Sequence, residues 1–387
     1  MKSRLSIIFS IAIMAFLCIY TYLSMHALGF YAGESMGSTS RLVFMIVIIS
    51  GIALIFNRNN NIDSSFSRFW IVWIAWMLLS IVILRISYAG LSTIWRYVFP
   101  PMVFLFCYSA KKTCFKIETV FVIGFIVLFF LAFYLNIMNL QYMGIDIGEE
   151  VSVSNLVYWC LCSVPFFFLI SRNSLKMFFL LLAIIIVLLT YKRSATIAIG
   201  LITLLFILDM TKTAKTSLRS YFVIALGLLI AYYVITHYFQ NAILGIAERM
   251  SAIEESEGSG RIPLYNDVLN VLKTNDLFDW VFGRGVGSIS ISKHTNAHND
   301  ALQILFEFGL IGLVLYFVML WKVIKRTIAF RKARSNYYMG YAASVVICIV
   351  LGAVSNLVVF NSYFSFICAY WGIAEYEITQ NNLLNHS

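Results

Sequence analysis

A histidine, two side-chain amides and a carboxylate stand close together in one stretch: His298, Asn299, Gln303 and Glu307. The last three are spaced by four, so on a helix they make a single polar stripe. Leu302, Leu305 and Phe306 fall elsewhere on that helix, and Gly309 and Gly312 permit close helix contact. An imidazole that titrates near neutral pH suits a general base acting on a hydroxyl. Against this stands a plainer reading, in which His298 and Asn299 only cap a helix at a membrane interface.

Arginines supply the other half of the chemistry. Arg193 follows Lys192 where one apolar run ends and the next begins, and Arg261 follows Gly258-Ser259-Gly260. Arg249 and Arg284 lie on either side of Arg261 in the same polar segment. Guanidinium groups stay charged and grip phosphate bidentately, so several of them beside a His suit a pyrophosphate. Interfacial arginines also snorkel without any ligand. The turn Phe282-Gly283-Arg284-Gly285-Val286-Gly287-Ser288 suits backbone N–H groups gathered around an anion, or a plain loop. Arg193 and Arg261 are the first candidates for pyrophosphate contact, with Arg249, Arg284, Asn299, Gln303 and Glu307 as further substrate contacts.

The elements that must position these groups are membrane helices. The chain has 387 residues, 61% of them hydrophobic and 12% charged, and a mean hydropathy of +0.87. Apolar runs near 5–23, 41–56, 69–86, 94–110, 117–137, 154–171, 175–191, 194–211, 220–238, 299–321, 338–356 and 358–376 predict about eleven or twelve spans at roughly 20 residues each. The first run reads as a span rather than a cleaved leader, because no small-x-small cleavage site follows it. The last two are close enough to form a re-entrant pair. The expected fold is all-α, a single polytopic membrane domain over 1–387 with one large loop at 238–297. Within that loop, Leu264, Val268, Leu269, Val271 and Leu272 after Pro263 predict an amphipathic helix on the membrane surface.

The net charge of +10 is not a nucleic-acid footprint. Lys2/Arg4, Arg58/Arg68, Lys111/Lys112/Lys116, Arg172/Lys176, Lys212/Lys215/Arg219 and the bases of 322–334 fall in alternate loops. That asymmetry predicts cytoplasmic termini and a periplasmic 238–297 loop. The seven cysteines avoid the long loop, so neither a disulfide framework nor a Cys-based metal site is expected there. His294 and His298 are four apart, but no third metal ligand follows at suitable spacing. With no Walker or dinucleotide motif either, neither metal nor cofactor is expected. A transporter would carry ionisable groups at mid-span, and few charges lie there.

His298-Asn299, with Gly309-x-x-Gly312 after it, resembles the shared signature of bacterial O-antigen polymerases and O-antigen ligases. So do Arg193-Ser194-Ala195 opening a span, Gly258-Ser259-Gly260-Arg261, and Phe282-Gly283-Arg284-Gly285-Val286-Gly287, in the same order. The resemblance implies a metal-independent glycosyltransferase of the inner membrane with a GT-C-like helical layout. Its donor would be an oligosaccharide on undecaprenyl pyrophosphate. It assigns activation of the acceptor hydroxyl to His298 and the pyrophosphate to Arg193 and Arg261. Implied partners are that lipid-linked oligosaccharide, membrane lipids and a chain-length regulator protein. The Gly-Arg-Gly stretch and Glu307-Phe308-Gly309 resemble polymerases more than ligases, and the ligase stays as the alternative.

Overall fold

The computed structural model describes residues 2–29, 64–83, 88–113, 117–142, 157–190, 192–213, 261–289, 297–358 and 361–384. These residues form helices and no strand. In chain order they are α1 (Lys2–Gly29), α2 (Ser65–Ile83), α3 (Tyr88–Thr113), α4 (Ile117–Tyr142), α5 (Val157–Phe167), α6 (Asn173–Leu189) and α7 (Arg193–Thr213). Then come α8 (Arg261–Lys273), α9 (Leu277–Phe282), α10 (Asp300–Lys332), α11 (Tyr338–Val354) and α12 (Asn361–Leu384). The chain is an all-α polytopic membrane protein. Four of the described helices are long and apolar enough to cross a membrane: α2, α4, α7 and α10. The spans expected at 41–56 and 220–238 lie outside the described residues, as does Arg249.

Two boundaries depart from the sequence expectation. The run expected to 171 ends as helix at Phe167, with Pro165 near that end. The run at 299–321 continues to Lys332, because Lys and Arg are good helix formers once the apolar layer is passed. The last two runs stay separate. Between α11 and α12 the backbone breaks at Asn356, whose φ is 59°.

Lipid offers no hydrophobic reward for burying one helix against another, so close packing holds the bundle. α12 lies along α3, and Gly372 allows the contact: a Cβ there would sit 2.4 Å from the Phe104 carbonyl oxygen. Trp70, Phe66, Phe104 and Trp371 fill the space between α2, α3 and α12 with ring contacts of 5.1–6.4 Å. Phe125 of α4 stacks on Phe166 of α5 at 3.8 Å. At the end of the bundle holding the α10 C-terminus, charges pair across elements. Arg326 meets Glu375 at 2.6 Å, and Lys111 meets Glu118 at 2.6 Å.

α10 is not one continuous rod. Gly309 has φ 65° and ψ −163°, which ends the hydrogen-bond ladder in mid-helix. A bare break at membrane depth costs several kcal/mol per unpaired group. Here the glycine turn after α9 closes it. The Arg284 and Gly285 N–H groups donate to the Phe306 and Glu307 carbonyls at 2.9 and 3.0 Å. Gly283 and Gly309 are pressed together, since a Cβ on either would lie 2.4 Å from a carbonyl oxygen of the other segment.

Candidate active site

The site is built where four helix ends meet: the starts of α7, α8 and α10, and the break between α11 and α12. Asn299 is the N-cap of α10. Its side-chain oxygen accepts the Leu302 N–H at 3.0 Å, and its amide NH2 donates to the Ala353 carbonyl at 3.1 Å. Asp300 reaches the same break, and its carboxylate accepts the N–H groups of Leu357 and Val358 at 3.1 Å. These two bonds fix the mouth of α10 against the C-terminal helix pair.

His298 precedes the cap with a left-handed φ of 52°, a conformation uncommon for a non-glycine residue and seen more often at functional sites. The capping function belongs to Asn299, so the histidine is not the cap. From α8, the Tyr265 hydroxyl donates to the His298 carbonyl at 3.3 Å. One face of α8 is packed: Val268 and Leu272 lie with Ile289, Ala297 and Phe306. Its opposite face leaves Ile262 and Leu269 exposed.

Burial first, then the positive charges of Arg261 and Lys192, hold the half-buried His298 imidazole below its ordinary pKa. The side chain is therefore neutral at neutral pH, the form that accepts a proton. Arg261 opens α8 and Lys192 immediately precedes α7, so the structure joins two elements far apart in sequence around one imidazole. Arg193 is half-buried as the first residue of α7. Next to it, Ser194 belongs to a hydroxyl cluster: the Tyr158 hydroxyl lies 2.6 Å from both the Ser194 and Ser355 oxygens. Lys192 Nζ sits 5.5 Å from the Tyr158 ring centre. The cluster ties the Arg193 helix to the same α11–α12 break that holds Asn299 and Asp300.

Three expected substrate contacts have partners within the chain. Gln303 and Glu307 are buried and bond each other. Gln303 also accepts the Ala297 N–H at 2.9 Å, and the Tyr97 hydroxyl donates to Glu307 at 2.8 Å. The polar stripe thus runs inside the bundle and holds the residue before His298. Its polarity is explained by this chain, because buried polar groups demand partners. Arg284 has partners within the chain. Its guanidinium bonds Asn275 at 2.7 Å and Thr274 at 3.3 Å, pairs with Asp279 at 3.4 Å and lies over the Phe306 ring. Its own N–H and that of Gly285 are committed to α10, as described above.

Sequence reasoning missed Lys192 as a partner of the imidazole, Tyr265 as its backbone clamp, and the Tyr158–Ser194–Ser355 cluster. Lys192 stands beside Arg193, so its place was within reach; the cluster's spacing in sequence gives no signal. Asn356 was also missed. It is fully buried, and neither amide atom of its side chain is hydrogen-bonded. Among the described residues, no three His, Cys, Asp or Glu side chains gather as a metal-ligand set.

Residues 178–317 match a family model described as O-antigen ligase. The matched stretch contains Arg193, Arg261, His298 and the Gly309–Gly312 pair, and it bears out the family resemblance drawn from those motifs. No curated protein matches the chain.

Proposed function

We propose that this chain, which carries a domain of the O-antigen ligase and polymerase family at residues 178–317, is an O-antigen polymerase. It transfers an oligosaccharide from undecaprenyl pyrophosphate to the non-reducing end of a second lipid-linked repeat unit, at the periplasmic face of the inner membrane. The observation that carries this reading is the half-buried His298 just before the Asn299 cap of α10, with Arg261 at the start of α8 and Lys192 before α7 close enough for their charge to act on its imidazole. A base alone or an anion site alone would suit many reactions. A base beside fixed cations suits attack by a hydroxyl on a sugar whose leaving group is a pyrophosphate.

In the step, His298 takes the proton of the acceptor hydroxyl. The hydroxyl oxygen bonds the anomeric carbon of the donor sugar, and the bond from that carbon to the pyrophosphate oxygen breaks. Arg261, Lys192 and Arg193 receive the charge that develops on the leaving pyrophosphate. A bound pyrophosphate also offsets the cations that disfavour protonation of His298, so the base strengthens when its donor is in place. Arg249, in the segment between α7 and α8, remains a proposed donor contact.

Transfer of finished polysaccharide to lipid A core is the second reading, favoured by the match of residues 178–317 to an O-antigen ligase family. The lipopolysaccharide banding of a strain lacking the gene separates the two. A single repeat unit on core supports the polymerase. Bare core, with lipid-linked polymer accumulating, replaces it with the ligase.

A further inference from the structure

The end of α10 remote from His298 carries a second concave, charged feature. A cavity of about 590 Å³ opens between the start of α2 and the last turns of α10. Lys322, Lys325, Arg326 and Lys332 line it, with Trp321 and Val318 beside them. The spacing of these bases by three, four and seven puts them along one side of α10. None of the lining residues is acidic. Arg326 is matched by the buried Glu375 at 2.6 Å. Lys322 reaches the carbonyl of Ser65, at 3.3 Å; Arg326, Arg68 and Lys325 act on it as like charges, and the Glu375 carboxylate as an opposite one. The like charges around Lys322 outnumber that one carboxylate, and a further anion among them would offset their repulsion.

The rest of the lining says what kind of anion. Phe66, Val318, Ile328 and Ala329 give the cavity an apolar wall. Trp321 is 58% exposed, and Lys325 Nζ lies 5.3 Å from its ring centre. A half-exposed indole under an ammonium group is suited to the headgroup level of a bilayer. Charge on one side and hydrocarbon on the other fit a molecule with a phosphate head and acyl chains, rather than a free anion. We propose that this cavity binds the phosphate headgroup of an anionic phospholipid in the leaflet opposite the His298 site. The lipid carrier of the reaction is a poor occupant. Lys322 lies thirteen residues beyond the break at Gly309, about 20 Å along the second arm of α10 at 1.5 Å per residue, whereas the carrier's pyrophosphate must reach His298. The inference is independent of the reaction assigned to that histidine.

The test uses the purified full-length chain in a neutral detergent, titrated with phosphatidylglycerol, with phosphatidylcholine of the same chain length, or with glycerol 3-phosphate, following Tm. Phosphatidylglycerol is expected to raise Tm in a saturable way, as a ligand specific to the folded state does, and the other two are not. The double variant Lys325→Gln/Lys332→Gln is expected to weaken phosphatidylglycerol binding by on the order of tenfold or more, at about 1 kcal/mol per lysine near a lipid surface. Lys322 is left in place because it holds the start of α2, and an unchanged Tm in phosphatidylcholine shows the variant is folded. If the variant does not fold, Lys325→Gln alone is read the same way. An equal rise with phosphatidylcholine overturns the phosphate assignment. An equal rise with glycerol 3-phosphate overturns the lipid. Undiminished phosphatidylglycerol binding by the folded variant overturns the location.

Discussion

The backbone N–H of Arg284 donates to the carbonyl of Phe306 at 2.9 Å, and through that bond a loop residue completes a broken membrane helix. The bond reassigns the glycine-rich turn. Its positive φ values at Gly283, Gly285 and Gly287 serve the close approach of two backbones, and Gly309 answers them from the other side.

Gly283→Ala and Gly309→Ala should therefore each sharply reduce folded protein. An added Cβ would lie 2.4 Å from a backbone oxygen in either case, and both residues have left-handed φ. Gly200 in α7 has nothing within 4 Å of its would-be Cβ, so Gly200→Ala should express as the parent does. Membrane-fraction yield and Tm of the three variants check this. A wild-type yield from Gly309→Ala would show that the helix can close without the break.

His298→Ala should leave the protein folded and lower the polymerisation rate by about 10² to 10⁴, the usual worth of a general base. Asn299→Ala should behave in the opposite sense. Loss of the cap costs about 1 kcal/mol of stability, and the bond to Ala353 goes with it. Polymer length on gels, measured beside protein level and Tm, separates the two. Wild-type polymer from His298→Asn or His298→Ser would end the catalytic role of the imidazole.

The acid limb of the rate profile should lie below the ordinary imidazole pKa, because burial, Arg261 and Lys192 all disfavour the protonated ring. Arg261→Gln and Lys192→Gln should each move that limb to higher pH. The stability sign follows from the same shift. The contribution of His298 is present above the ordinary value and is lost as pH falls through the window down to the lowered one. Initial rates and Tm between pH 4 and 8, with pH in roughly half-unit steps around the imidazole range, test both. A limb that stays fixed in both variants would detach the cations from the base.

Arg193→Lys and Arg261→Lys should rescue poorly, with rates down on the order of 100-fold, since an ammonium cannot form the bidentate fork on phosphate. Single-turnover rates with a lipid-pyrophosphate donor give the comparison. Full activity in both variants would reduce the two arginines to interfacial anchors.

Much of this arrangement was legible in residue order. Apolar runs gave the described membrane helices and amphipathic spacing gave α8, while the short α9 had no such signal; the start of α10 follows from Asn299 and the stripe behind it. Burial was not legible. The stripe Asn299–Gln303–Glu307 looks the same in sequence whether it faces substrate or the interior. Only Tyr97, more than two hundred residues upstream and 2.8 Å from Glu307, shows that it faces inward. The turn around Arg284 reads two ways for a related reason: glycines that free backbone N–H groups for an anion also free them for a carbonyl, and here the N–H groups of Arg284 and Gly285 meet carbonyls. The Tyr158–Ser194–Ser355 cluster joins three helices by side chains common in any membrane protein, so no local pattern announces it.

The carboxylate of Asp300 grips the N–H groups of Leu357 and Val358, and those residues leave the ribosome after every residue placed in the reaction. During synthesis the base and its cations are already in the membrane while the clasp that sets the mouth of α10 is still unmade. A chain halted before the α11–α12 break would hold His298 without its frame.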